Sequence, residues 1–155
     1  MSHYHRRTAL ERLFDDLNTE LFDGRIAQCA VRRASYLARR HGCDGLYAPS
    51  RRQILIQTGL SAPTERRVLI HEMCHAKLSA DFGHGSAFLS ELRRLGRRGE
   101  TWAFREAARY ANDPWLRVVD ALDDLDHQWH ALPRSASTRA RSLIIDRAER
   151  LLARL

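Results

Sequence analysis

The stretch His71-Glu72-Met73-Cys74-His75, set inside an apolar run, constrains this chain more than any other. Val68, Leu69 and Ile70 precede it, and Ala76, Leu78 and Ala80 follow. On an α-helix, residues four apart lie one turn above each other on one face, so His71 and His75 present two imidazoles to the same point. Ser61, Pro63, Thr64 and Glu65 supply helix-start chemistry upstream, and Gly83 and Gly85 supply a stop downstream. A capped and largely apolar helix is a buried one, where a His-Glu-His set is costly unless it has partners. The plain alternative, two core histidines and a surface glutamate, fits that context less well. The spacing instead suits a metal-dependent peptidase, in which zinc acidifies water and Glu72 serves as the base.

The rest of the composition narrows the setting. A length of 155 residues suits one domain spanning 1–155, with a core at about 8–98 and a helical extension at about 101–155. The formal charge is +7, and Lys77 is the only lysine among the basic residues. Such a surplus fits attraction to a polyanion such as DNA, although basic proteins without that role are common. Cys29, Cys43 and Cys74 are odd in number and widely spaced, which points to thiols in a reducing compartment and no disulfide framework. Met1 to Arg7 is polar and basic, and no apolar run approaches a membrane span. The expectation is a cytoplasmic protein with no membrane partner. Nothing in the pattern sets an oligomeric state.

Periodicity predicts an α+β fold. Thr8 to Leu21 has helical spacing, with Leu10, Leu13, Phe14, Leu17 and Leu21 on one face. Ile26 to Leu37 reads as a strand, Arg39 to Asp44 as a polar loop, and Gly45–Ala48 and Gln53–Gln57 as short strands. These predict a small, mainly antiparallel sheet packed on the His71–His75 helix. Helices are predicted over 86–98, 101–111, 115–132 and 137–155, the last basic and amphipathic. Trp102, Trp115 and Trp129 are expected in the core of that helical half.

A catalytic zinc takes three protein ligands and leaves a fourth position for water. Three residues compete for the third place. Asp81 stands where a metzincin-type pattern puts its ligand, but Leu78 occupies the position where that pattern needs a glycine. Glu91 lies at a gluzincin-like distance and also suits a solvated charge opposite Arg94. His84 is favoured, because Gly83 and Gly85 let the backbone turn sharply around it.

His71-Glu72-Met73-Cys74-His75-Ala76 followed by Gly83-His84-Gly85-Ser86-Ala87-Phe88 resembles the SprT-like/Spartan metallopeptidases. Leu17-Asn18, Leu21-Phe22-Asp23-Gly24, Gly45-Leu46-Tyr47 and Ile54-Leu55-Ile56 are similar to that family's first helix and strands. The resemblance covers roughly Leu10 to Leu92 and implies a zincin fold with Zn2+ held by His71, His75 and His84 and Glu72 as the catalytic base. It implies hydrolysis of a protein or peptide substrate, and, from the eukaryotic members, of proteins trapped on DNA. The chain departs from that pattern after Cys74, where it has no zinc-ribbon cysteines, and from Thr101 onward the resemblance offers nothing.

Two other functions compete with a zinc endopeptidase of DNA-protein crosslink repair. One is a DNA-binding or adaptor protein whose metal site is structural or idle. The other is a regulatory peptidase with one specific protein substrate. A structural site has no use for a carboxylate base, so Glu72 discriminates. Arg32-Arg33, Arg39-Arg40, Arg51-Arg52, Arg93-Arg94 and Arg97-Arg98 are candidate phosphate contacts, with ordinary solvated charge as the alternative. Tyr47 or an arginine is a candidate donor to an oxyanion. Gly45–Ala48, as an edge strand, could take a substrate by β-augmentation. Asp123, Asp124, Asp126, His127 and His130 have spacings that suit a second metal, or pairing with the arginines.

Overall fold

The computed structural model describes residues 7–78, 83–111 and 113–153. It divides into two compact units, one ending at Gly83 and one beginning at His84.

In the first unit, helix α1 (Ala9–Phe22) starts on a capping box. The Thr8 hydroxyl accepts from the Glu11 N–H, and the Glu11 carboxylate accepts from the Thr8 N–H. Leu10, Phe14, Leu17 and Leu21 recur at helical spacing and are buried. Asp23 ends the helix in the left-handed region at φ 56°. The Asn18 amide then donates to Ile26 O and accepts from Ile26 N, at 2.9 and 3.1 Å. That two-sided clamp fixes the reversal that delivers the chain to strand β1 (Ala30–Ala34).

A short helix, α2 (Leu37–His41), follows β1. Strands β2 (Gly45–Ala48) and β3 (Gln53–Gln57) then form a hairpin through a 3-10 turn at Pro49–Arg51. The strand order is β1-β3-β2, with β1 parallel and β2 antiparallel to β3. This corrects the expected mainly antiparallel sheet: the sheet is mixed. After β1 the chain crosses to the far edge before it turns, so the hairpin returns β3 into the centre alongside β1 and in the same direction. Two boundaries change as well. The expected strand over 26–37 shortens to Ala30–Ala34, and the expected loop over 39–44 begins inside α2. Leu37 is fully buried and anchors that helical turn, while Gly42 stops it at φ 63°.

Helix α3 (Ala62–Leu78) carries the His71–His75 stretch and packs on β2 and β3. Thr64 N–H reaches the Ser61 hydroxyl at 3.4 Å, so Ser61 closes the helix start. Leu69, Ile70, Met73 and Cys74 are fully buried, as are Ile54 and Ile56 of β3. The Arg33 guanidinium ties β1 to α3 by two bonds to the Glu65 carboxylate, at 2.7 and 2.8 Å.

The second unit is all helical: α4 (Ser86–Arg97), α5 (Trp102–Tyr110), α6 (Pro114–Ala131) and α7 (Thr138–Leu152). Helix α4 packs on α5 and α6, and α7 packs on α6. Phe88, Leu92, Leu95 and Phe104 are buried here. Gly96 faces the Phe104 ring so closely that a Cβ would lie 2.6 Å from it. The Arg93 guanidinium makes a two-pronged pair with Asp120, which is fully buried. None of the three tryptophans is fully buried, and Trp115 is 56% exposed. Two of them serve polar or cationic neighbours: Trp102 Nε1–H donates to Glu100 at 2.7 Å, and Arg141 lies over the Trp129 ring. No helix among the described residues is long and apolar enough to cross a membrane.

Candidate metal centre

Helix α3 is uninterrupted through His71 and His75, and their ring centroids lie 5.1 Å apart. Both side chains are half-buried, so each keeps an accessible edge. Glu72 is 6% exposed and lies against β2. The contact is set by Gly45, where a Cβ would stand 2.7 Å from Glu72 Oε1 and 2.6 Å from Val68 Cγ1. A residue with any side chain would therefore push the edge strand away from the carboxylate. Sequence reasoning had Gly45 only as part of a strand, since nothing local links it to Glu72.

His84 opens the second unit, immediately before α4. Its ring stacks on Tyr110 with centroids 3.8 Å apart and planes 13° from parallel, and it meets Phe88 edge-on at 4.7 Å. Phe88 follows by one helical turn and was legible in the sequence. Tyr110 was not, because it comes from the far end of α5.

Among the described residues, His71, His75 and His84 form a group that could hold a metal ion, each offering one ligand atom, with all of these atoms within 4.8 Å of one another. The fit to zinc is one of donor chemistry. Three neutral imidazoles suit Zn2+, and they would accept other divalent ions too. The competing ligands fall elsewhere. Asp81 lies outside the described residues. Glu91 accepts two bonds from Arg94, at 3.1 and 2.6 Å, as expected of that pair. It is only 7% exposed, however, so it is a buried charge and not a solvated one. The run from Asp123 to His130 yields no further group of this kind among the described residues, and Asp123 pairs with Arg97 at 2.8 Å.

Electrostatics around Glu72 bring in a residue that the sequence did not single out. Burial raises the Cys43 thiol above its ordinary value, and the Glu72 and Asp44 carboxylates raise it further, while a hydrogen bond from the Gly45 backbone opposes the rise. Cys43 is thus a neutral thiol beside the candidate base. Tyr47 follows Gly45 by two residues on β2, so the two share a face of the sheet. Burial raises its phenol as well, chiefly by desolvation, which keeps it protonated and able to donate.

Most of the candidate arginines fall into two groups. Arg93, Arg94 and Arg97 are held by Asp120, Glu91 and Asp123, and Arg33 by Glu65. Arg32, Arg39, Arg51 and Arg52 are exposed and have no ion pair among the described residues.

The family model that matches residues 10–107 describes the SprT-like family. No curated protein and no solved structure matches the chain.

Proposed function

The chain belongs to the SprT-like family, a zincin-like metallopeptidase-type family, and from that premise we propose that it is a zinc-dependent endopeptidase. The observation that supports this best is the three-histidine group with the buried carboxylate of Glu72 beside its first member. In this reading His71, His75 and His84 hold the metal. When bound, zinc supplies a Lewis acid that polarises a scissile carbonyl and acidifies water.

The remaining work falls to the chain's own residues. Glu72 accepts the proton of the attacking water on a carboxylate oxygen and returns it to the leaving amine. Its burial against Gly45 holds the carboxylate in one orientation. Tyr47, kept protonated, shares a strand face with Gly45, and in this reading its hydroxyl donates to the developing oxyanion. Strand β2 lies at the edge of the sheet, so an extended substrate can pair with it as a fourth strand. The Tyr110 ring behind His84 limits the rotation of that imidazole.

The exposed arginines of the first unit support a further step, in which the substrates are proteins bound to or crosslinked with DNA. Arg32, Arg39, Arg51 and Arg52 would make phosphate contacts without reading bases. The test is to incubate the zinc-loaded chain with a basic DNA-binding protein, with and without single-stranded DNA, beside Glu72→Gln. Cleavage that requires DNA and is lost in the variant is the expected result. Cleavage independent of DNA would remove the DNA step and leave the peptidase. If zinc and DNA both bind but no substrate is cut, the peptidase reading fails in favour of an adaptor.

A further inference from the structure

We propose that the cleft between α5, α6 and α7 binds a small phosphorylated ligand that also carries an amino group, by class a nucleoside monophosphate. The cleft has a volume of about 510 Å³, within the range of small-molecule sites. Its polar lining is Arg105 from α5, Asp124 and Gln128 from α6, and Arg147 and Arg150 from α7.

The floor of the cleft is an incomplete polar site. Asp124 is 8% exposed. Its Oδ2 accepts from the Gln128 amide at 2.9 Å, and Arg105 Nε stands 3.8 Å from the same oxygen, beyond hydrogen-bond distance. Oδ1 is buried and has no hydrogen-bond partner among the described residues. A buried carboxylate oxygen left without a donor is costly, and such atoms are rare in folded proteins. An N–H seated on the cleft floor would supply the missing donor once the carboxylate turns slightly toward it.

The rim asks for the opposite charge. Arg147 and Arg150 are three residues apart on α7 and so share a face. Both are exposed, and neither has an ion pair or hydrogen bond among the described residues. With Arg105 they set three guanidiniums against one carboxylate, a local surplus of two positive charges. Guanidinium pairs bind phosphate through two parallel bonds, and a phosphate monoester carries nearly the matching charge at neutral pH.

The lining also includes Leu125 and Leu151, apolar side chains suited to a flat ring. Inorganic phosphate would satisfy the arginines only, and a free amine would satisfy Asp124 only. An aminated base on a ribose phosphate meets all three in one molecule. The same cleft explains why α7 packs on α6 without a single buried residue of its own. Its inward side is a ligand wall and not a core face.

Isothermal titration of the full chain tests this, using AMP, CMP and GMP, with purine riboside 5′-monophosphate (whose base carries no N–H), adenosine and inorganic phosphate as comparisons. These titrations need no peptidase activity, so their failure is separate from any failure of the proposed function. At least one amino-bearing nucleotide is expected to bind ten or more times tighter than adenosine, phosphate and purine riboside monophosphate, roughly the weight of one charge-assisted bond. Arg147→Gln with Arg150→Gln changes only exposed side chains and should weaken that binding at least roughly tenfold. Asp124→Asn should bring the amino-bearing nucleotide down to the level of purine riboside monophosphate. The proposal is overturned if no nucleotide binds at millimolar concentration, if phosphate alone binds as tightly, or if the double arginine variant binds unchanged. Should Asp124→Asn fail to fold, the comparison with purine riboside monophosphate still decides the role of the amino group.

Discussion

The Gly45→Ala substitution asks the sharpest question of the proposed chemistry, because it alters no ionisable group. A Cβ at position 45 would stand 2.6 Å from Val68 Cγ1, 2.7 Å from Glu72 Oε1 and 2.8 Å from Glu72 Cγ. Ordinary contacts between carbon atoms lie at about 3.5–4.0 Å, so roughly 1 Å of space has to open. The carboxylate end of Glu72 could swing aside, but Val68 Cγ1 and Glu72 Cγ sit close to the α3 backbone and have little room to yield. Either β2 moves out or the Glu72 side chain leaves its rotamer. Misplacing a catalytic group by about 1 Å can cost about 10²-fold in rate. That corresponds to a barrier higher by roughly 2.7 kcal/mol. Overpacking should also cost the fold about 1–3 kcal/mol. The measurements are kcat/KM on a fluorescently labelled basic DNA-binding protein with single-stranded DNA present and zinc saturating, the urea midpoint, and zinc affinity by competition with a chromogenic chelator. The expected pattern is a fall of about two orders of magnitude in kcat/KM with zinc affinity near wild type. Adding Glu72→Gln to Gly45→Ala should lower the rate little beyond Glu72→Gln alone, since both act through one carboxylate. A folded Gly45→Ala protein with wild-type kcat/KM would refute the claim that the edge strand holds the base in place.

Other perturbations separate the parts of the structure. Tyr110→Leu removes the ring stacked on His84, and zinc affinity should fall about tenfold, the lower end for supporting residues; unchanged affinity would mean that the stack is incidental. Asp120→Ala leaves the Arg93 guanidinium without its buried partner and should destabilise the fold by about 3–5 kcal/mol, seen as a lower urea midpoint. Replacing both members, with Arg93→Met and Asp120→Leu, should recover most of that loss, and no recovery would show that the pair does more than balance charge. Burial raises the Cys29 thiol above its ordinary 9.0, so the folded state favours the protonated form. The stability this gives is complete below the unfolded pKa and is lost as pH rises through the folded one. Urea midpoints measured upward from pH 8 should therefore decline, and Cys29→Ala should flatten the decline.

Much of this molecule was determined by the sequence alone. The helix spacing of His71 and His75, the His84 turn between two glycines, the limits of β2 and β3, and the presence of four C-terminal helices all follow from patterns that repeat within a few residues. Capping residues such as Thr8 and Asp113, and a Pro or Gly at an element's end, act locally and are read locally. What tertiary structure decided is of another kind. The parallel pairing of β1 with β3 depends on where the chain crosses before its hairpin, which no period along β1 records. The tryptophans differ for a similar reason: size and hydropathy favour burial, but Trp129 and Trp102, both half-buried, found a cation and a carboxylate. Gly45 against Glu72, Arg33 on Glu65, Arg93 on Asp120 and Tyr110 on His84 each join residues separated by at least twenty positions. Backbone hydrogen bonds and side-chain alternation are short-ranged along the chain, so they specify elements and the faces they offer. Which face meets which partner is set by close packing in three dimensions, where removing one Cβ or adding one decides how near two segments can come.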